Sequence, residues 1–270
     1  MNSESAAERI DTSKPHPARR YDYWLGGKDN FPADRESADA VAEAFPTVRL
    51  AAVENRNFLR RVTRYLAADA GIRQFLDIGA GLPTAGNVHE IAQGIAPESR
   101  IVYVDNDPIV LVHARELLNS APEGRTAYLD ADLRDPERIL GHPDLRATLD
   151  LNQPVALMLV AIMHFFTDDT KPYELVRTLC EALPPGSHLV MSHATSDYLE
   201  DEDLARTTEA NQRSGVPFRL RSSAEFAEFF RGFELVAPGI TSVTDWRPDE
   251  YRPQPRAEAI SMLGGVARIR

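Results

Sequence analysis

The stretch Phe75-Leu76-Asp77-Ile78-Gly79-Ala80-Gly81-Leu82-Pro83-Thr84 reads as a strand that ends in a Gly-x-Gly turn and opens toward a helix. Residues 74–79 form the strand. The helix follows near 84–95, where Val88, Ile91, Ala92 and Ile95 fall at i, i+3, i+4 and i+7. A glycine turn between strand and helix lets a ligand approach the backbone closely. Dinucleotides favour G-x-G-x-x-G there, the third glycine allowing the helix to pack against the strand. Thr84 stands at that third position. Asp77, just before the turn, suits a pyrophosphate poorly. It suits a ligand with positive charge nearby, such as an α-amino group or a sulfonium.

The pattern continues outward. A short strand at 101–104 leads into Asp105-Asn106-Asp107-Pro108. Asp105, at a strand end, is placed to accept both hydroxyls of a ribose; the plainer alternative is a loop carboxylate. Asp107 is read as the N-cap of a helix that Pro108 opens and that runs to Leu118. A third strand at 126–130 ends before Asp132 and Leu133, where a carboxylate and a backbone N–H can serve an adenine ring. Three strand ends in this order describe a nucleoside cofactor lying across the carboxyl edge of a sheet. Residues 155–162 are apolar enough for a strand buried on both faces. A helix at 170–183, a strand at 187–193, a helix at 223–231 and strands near 233–237 and 259–269 complete the alternation. Residues 196–222 read as an insertion. Strands alternating with helices imply right-handed crossovers, a parallel sheet and an α/β fold, doubly wound.

Upstream of this core, residues 1–18 are polar and aperiodic and are expected to be a disordered tail. The run from Arg20 to Phe31 (RYDYWLGGKDNF) has neither helical nor strand period. It is read as a lid over the cofactor, with Tyr21, Tyr23 and Trp24 offering aromatic faces to a sulfonium and Arg20 and Lys28 meeting a carboxylate. It is equally read as an aromatic staple of the arm onto the core. Helices are expected at 34–45 and 49–69, the second with Val53, Phe58, Val62, Tyr65 and Leu66 on one face.

The chain has 270 residues with 43% hydrophobic and 26% charged, which bounds it to a globular fold with a sizeable core. Its net charge of -11 argues against nucleic acid as a partner. No apolar run is long enough to span a membrane. The polar N-terminus lacks the apolar stretch of a secretory signal, and a single cysteine, Cys180, fits a reducing compartment. A cytoplasmic protein is expected, with no membrane partner and its oligomeric state left open, a homodimer included.

Taken together, the glycine-turn segment, Asn87-Val88-His89-Glu90, Val102 to Pro108, the Arg20–Phe31 run and Gly264-Gly265-Val266-Ala267-Arg268 resemble a family of actinobacterial S-adenosylmethionine (SAM)-dependent methyltransferases long catalogued as a domain of unknown function. The resemblance covers roughly residues 19–270. It implies a Rossmann-like class I methyltransferase: a seven-stranded, mostly parallel sheet with its last strand antiparallel, helices on both faces and an N-terminal helical arm (19–70). It implies SAM as cofactor, S-adenosylhomocysteine as product and an unidentified methyl acceptor. Asp77, Gly79 and Gly81 would lie near the methionine part, with Ala80 and Pro83 of the same turn. Asp105 and Asn106 would lie at the ribose, Asp132 and Leu133 at the adenine, and Arg20 and Tyr21 over the cofactor from the arm.

His164, after the central strand, is the candidate catalytic residue, a general base with an ordinary pKa near ~6.5. Its alternative is a buried, hydrogen-bonded histidine, since many methyl transfers need only proximity. The acids Glu200 to Asp203 point in different directions on a short helix and are read as a solvated face. No Cys or His spacing matches a zinc site, and no metal is expected. The acceptor is expected to be a small molecule. Two other readings remain at this point, a nicotinamide-dependent oxidoreductase and a non-catalytic SAM-binding regulator.

Overall fold

Period-two alternation sorts five successive strands onto two cores. In the computed structural model, which describes residues 10–117, 120–249 and 251–270, these strands are β1 (Gln74–Ile78), β2 (Arg100–Asp105), β3 (Arg125–Asp130), β4 (Ala156–Val160) and β5 (His188–Ala194). They pair in parallel in the order β3-β2-β1-β4-β5. Leu76, Ile78, Val102, Val104, Leu157 and Leu189 face one apolar cluster. Phe75, Ile101, Tyr103, Ala156, Met158 and Val190 face the other. Both faces are therefore covered, as an all-parallel sheet requires. Cys180 is buried on α8 (Pro172–Glu181), and burial pushes its thiol up to about 12.

The strand β8 (Met262–Arg268) enters antiparallel beside β5, and β6 (Glu234–Leu235) closes that edge. The two-residue β7 (Thr241–Ser242) also pairs with β8, so the sheet has eight strands, one short strand more than the resemblance implied. Gly264 in β8 is required by close approach: a Cβ there would come within 2.7 Å of the Phe58 ring.

Three helices precede the sheet: α1 (Pro17–Trp24), α2 (Pro32–Ala44) and α3 (Val48–Ala68). The first corrects two expectations. Residues 15–18 do not belong to a disordered tail, since α1 starts at Pro17 with His16 as its N-cap; residues 1–9 lie outside the described set. Nor is the aromatic run aperiodic coil throughout. The residues that α1 buries are Arg19, Arg20 and Asp22, so the helix shows no apolar stripe to a sequence reader.

In α3 the buried face carries Phe58, Val62 and Leu66, while Val53 is 39% exposed. Five residues separate Val53 from Phe58, about 140° around a helix of 3.6 residues per turn, which turns Val53 away. The helix expected from 84 begins only at Val88, as α4 (Val88–Ile95). Glu90 Oε2 accepts from the backbone N–H of Asn87 at 2.8 Å, which fixes that start. Ile95 at its end is 40% exposed. Asp107 does cap α5 (Pro108–Leu117), accepting from Ile109 N at 3.2 Å; the expected terminus at Leu118 lies outside the described residues. The insertion holds a further helix, α9 (Asp201–Arg213), which follows the two short helices α6 (Pro136–Gly141) and α7 (Pro143–Thr148) and α8 in chain order. The helix expected at 223–231 splits into α10 (Ser223–Ala227) and a 3-10 turn. The strand expected from 259 starts with α11 (Ala257–Ile260) before β8.

Trp246 anchors α3 to the far edge of the sheet. It is fully buried, and its ring meets Phe58 at 5.8 Å and Tyr65 at 5.7 Å, both edge-on. Arg61 Nε donates to its carbonyl at 3.0 Å. Truncation leaves a large cavity that rigid neighbours cannot fill, so Trp246→Ala is expected to cost about 3–5 kcal/mol in urea denaturation. A loss under about 1 kcal/mol would show that the site collapses freely.

Candidate active site

The carboxyl ends of β1, β2 and β4 open into a cavity of about 380 Å³. It lies where the chain leaves β1 toward β2 on one side, and where β4 continues to β5 on the other. Crevices of this kind form at such a reversal of strand order.

The turn after β1 forms the floor. Gly79 has φ +78 and its N–H donates to Val104 O at 2.8 Å, which ties the turn to β2. A side chain at Gly79 would collide with Ile162 as well as strain the backbone. Gly81, also left-handed at φ +65, donates its N–H to Asp105 Oδ2 at 2.8 Å. Asp105 Oδ1 accepts from Asp107 N at 3.0 Å. Both oxygens of Asp105 are thus fixed, each with a lone pair remaining. Burial raises the pKa of Asp105 above the ordinary carboxylate value, against the pull of the N–H from Asp107.

Asp77 is buried in the cavity wall. Burial pushes its carboxyl up to about 7, opposed by the nearby Arg56 cation and reinforced by Asp105. Further along, Asn106 Nδ2 donates to Asp132 Oδ2 at 3.0 Å. Arg134 N donates to Asp132 Oδ1 at 2.8 Å. Leu133 lies beneath them, buried.

The arm closes the other side. Pro15, His16, Ala18 and Tyr21 all line the cavity. Tyr21 Oη donates to Ala52 O at 2.9 Å and accepts from Asn55 Nδ2 at 2.9 Å. Asn55 Oδ1 in turn accepts from Ser192 Oγ at 2.6 Å, so the phenol is locked to α3 and β5. Arg19 sets the height of this wall: its Nε and a terminal nitrogen each donate to Asp107 at 2.9 Å, both residues being buried.

Of the residues expected around a cofactor, Asp77, Gly79, Ala80, Gly81, Asp105, Asn106, Asp132, Leu133 and Tyr21 line this cavity. Pro83 does not: Leu82 and Thr84 on either side of it face in. Arg20 does not either. It points across α1 into a second, smaller cavity of about 80 Å³ that shares Tyr21, Ala161 and Phe165 with the first. Trp24 lines that second cavity, while Tyr23 turns outward to Asp39 and Arg49. His164 also lines the second cavity, with its ring against Phe165 at 4.4 Å and Phe218 at 4.8 Å. Burial holds its pKa well below the usual histidine value, helped by His193, Arg20 and Arg221. The imidazole is thus held in its neutral form in the wall of the smaller cavity. The main residues that sequence reasoning missed are Asn55 and Arg56. Their signal was the polar run Glu54-Asn55-Arg56 interrupting an amphipathic helix; Glu54 and Asn55 are buried. Among the described residues no group of acids, histidines or cysteines is arranged to hold a metal.

The model of the S-adenosyl methyltransferase family matches residues 3–270. The chain belongs to the S-adenosyl methyltransferase family. A DUF574 family protein from Streptomyces avermitilis is 50% identical, over 97% of this chain and 100% of its own, with a TM-score of 0.93. A provisionally named methyltransferase from Thermobifida fusca is 41% identical, over 96% of this chain and 97% of its own, with a TM-score of 0.88. The Synechocystis magnesium protoporphyrin IX methyltransferase, solved with bound S-adenosylhomocysteine, shares the fold at 12% identity, 93% coverage of both chains and a TM-score of 0.55. No match was found among curated proteins.

This S-adenosyl methyltransferase is thus an enzyme with SAM as its cofactor. The cavity fits that ligand on its own evidence. It has a left-handed glycine turn in which Gly79 has no room for a side chain beside Ile162, a carboxylate with both oxygens fixed, and a buried acid whose carboxyl is pushed up to about 7 despite Arg56.

Proposed function

We propose that the larger cavity holds SAM, and that its methyl group faces the smaller cavity, where a small-molecule acceptor binds. Three carboxylates at adjacent strand ends, Asp77, Asp105 and Asp132, lining one cavity in the order of a cationic head, a ribose and an adenine, carry this reading. Asp77 meets the ammonium and sulfonium charge. Asp105 accepts the ribose hydroxyls. Asn106, Asp132 and Leu133 hold the base, and Tyr21 covers the reacting end. Bound there, SAM supplies an electrophilic methyl carbon and leaves as S-adenosylhomocysteine.

The chain contributes position and exclusion of water. Tyr21, Ala161 and Phe165 form the shared wall between the two cavities, where an acceptor atom would approach in line. His164 shapes the acceptor side and leaves proton removal to solvent. Residues 19–270 act as one methyltransferase unit. The insertion supplies Gly215, Val216 and Pro217 to the larger cavity and Thr207, Asn211 and Phe218 to the smaller. The buried, single Cys180 and the acidic charge favour a cytoplasmic enzyme acting on small molecules.

Isothermal titration with SAM and S-adenosylhomocysteine tests the assignment. Wild-type protein should bind at micromolar Kd, about -8 kcal/mol. Asp105→Ala should lose at least about 100-fold, since two hydrogen bonds to a charged acceptor disappear. Absence of binding to well-folded wild-type protein would sink the reading.

A further inference from the structure

The smaller cavity is largely apolar, but three of its buried polar side chains each carry an atom without a hydrogen-bond partner. Aromatic and aliphatic side chains, among them Trp24, Phe45, Phe165 and Phe218, form most of its wall. Three polar atoms interrupt them: Arg20 Nε, Thr207 Oγ1 and Asn211 Oδ1 are all buried without a hydrogen-bond partner. Arg20 is 1% exposed; its guanidinium donates to two hydroxyls, Ser214 Oγ at 3.0 Å and Ser37 Oγ at 3.4 Å, and lies over the Trp24 ring at 5.1 Å. It forms no ion pair with any carboxylate among the described residues. The nearest influence, Asp34, spends its two oxygens on the N–H groups of His16 and Phe31.

A buried cation without a counter-ion is expensive, and proteins keep one where a ligand supplies the missing charge. Resting on the assignment of SAM to the larger cavity, we propose that the methyl acceptor is an apolar, ring-bearing organic acid, a monocarboxylate whose anion pairs with Arg20 in the smaller cavity. Thr207 donates its hydroxyl to the same carboxylate. Among the described residues of this wall Arg20 supplies the single guanidinium, which matches one negative charge; a phosphate dianion would find no second Lys or Arg among them. The aromatic lining matches a flat apolar body, and the shared wall at Tyr21, Ala161 and Phe165 brings that body beside the cofactor cavity. Burial lowers Arg20 only to about 10, so it remains a cation at neutral pH.

The probe is benzoate, with benzamide as its neutral isostere, titrated into the full chain saturated with S-adenosylhomocysteine. Benzoate should bind about 10- to 100-fold more tightly than benzamide, the range for a hydrogen-bonded ion pair over a neutral contact. Arg20→Gln should bring the two within about threefold while S-adenosylhomocysteine affinity stays unchanged. Thr207→Val, which preserves shape, should reduce the benzoate preference without touching benzamide and serves if Arg20→Gln is unstable. Equal binding of the two probes, or benzoate displaced by S-adenosylhomocysteine, would overturn the proposal. So would loss of S-adenosylhomocysteine binding in folded Arg20→Gln, since Arg20 would then serve the cofactor. Failure of wild-type protein to bind S-adenosylhomocysteine at all is a separate result, and counts against the cofactor assignment.

Discussion

Asp77→Asn will melt at a higher temperature than the wild-type protein when ligand-free, and will bind SAM at least about 100-fold more weakly. The two effects have one cause. The Asp77 carboxyl ionises in the unfolded chain near its ordinary value of 3.8, but in the folded protein only at about 7, because burial outweighs the help of Arg56. A folded pKa raised above the unfolded one means that the folded state holds this proton longer. No penalty exists below pH 3.8, where both states are protonated. Stability falls as pH rises from there to about 7, and the full penalty persists above. A difference of that size places about 4 kcal/mol against the charged form. Asn removes the charge but still needs partners, so a net gain of about 1–3 kcal/mol is expected near pH 8, measured by thermal or urea denaturation.

On the proposed assignment, the same buried charge is what the cationic head of SAM would neutralise. Binding SAM should lower the pKa of Asp77, so affinity is full above pH 7 and falls about tenfold per pH unit below it, with proton release on binding. Titration in buffers of different ionisation enthalpy between pH 5.5 and 8.5 reads both. In Asp77→Asn the residual affinity should not change with pH. A wild-type affinity flat across that range would mean that Asp77 does not meet the ligand's charge.

Arg19→Ala will destabilise the protein by about 3–5 kcal/mol and weaken SAM binding together, although Arg19 does not line the cofactor cavity. It makes two hydrogen bonds of 2.9 Å to Asp107 from a buried position, and His16 Nδ1 sits 3.1 Å from the same carboxylate. Burial alone would raise the pKa of Asp107, but hydrogen bonds from His16 and Arg19 hold it well below the usual range. Removing Arg19 leaves a buried carboxylate with His16 and the Ile109 N–H but no guanidinium, the costly case for a buried ion pair. It also frees α1 from the turn after β2, and with it His16, Ala18 and Tyr21 from the cavity wall. Hydrogen exchange should quicken across residues 16–25 before it does in the sheet. Arg19→Lys should rescue little, because a single ammonium cannot replace the two-point guanidinium contact. Unchanged exchange in α1 with full SAM affinity would show that the arm is held elsewhere.

Five parallel strands, the glycine turn and the acids at three strand ends were determined by the sequence alone. The near-continuous apolar runs of Phe75 to Ile78, Ile101 to Val104 and Ala156 to Val160 are a local signal, and a sheet covered on both faces is where such runs are buried. Asp77, Asp105 and Asp132 follow directly from where those strands stop. The N-terminal helix was not legible, because α1 buries Arg19, Arg20 and Asp22, whose hydrogen bonds reach residues distant in the chain or across a loop: Asp107, Ser214 and Asn30. No periodicity of hydrophobic residues can announce a helix whose buried face is polar. For the same reason the sequence could place Arg20 near the ligands but not say which cavity it faces. That choice belongs to the packing of α1 between α2 and the insertion, which turns Tyr21 toward the larger cavity and Arg20 into the smaller one beside it.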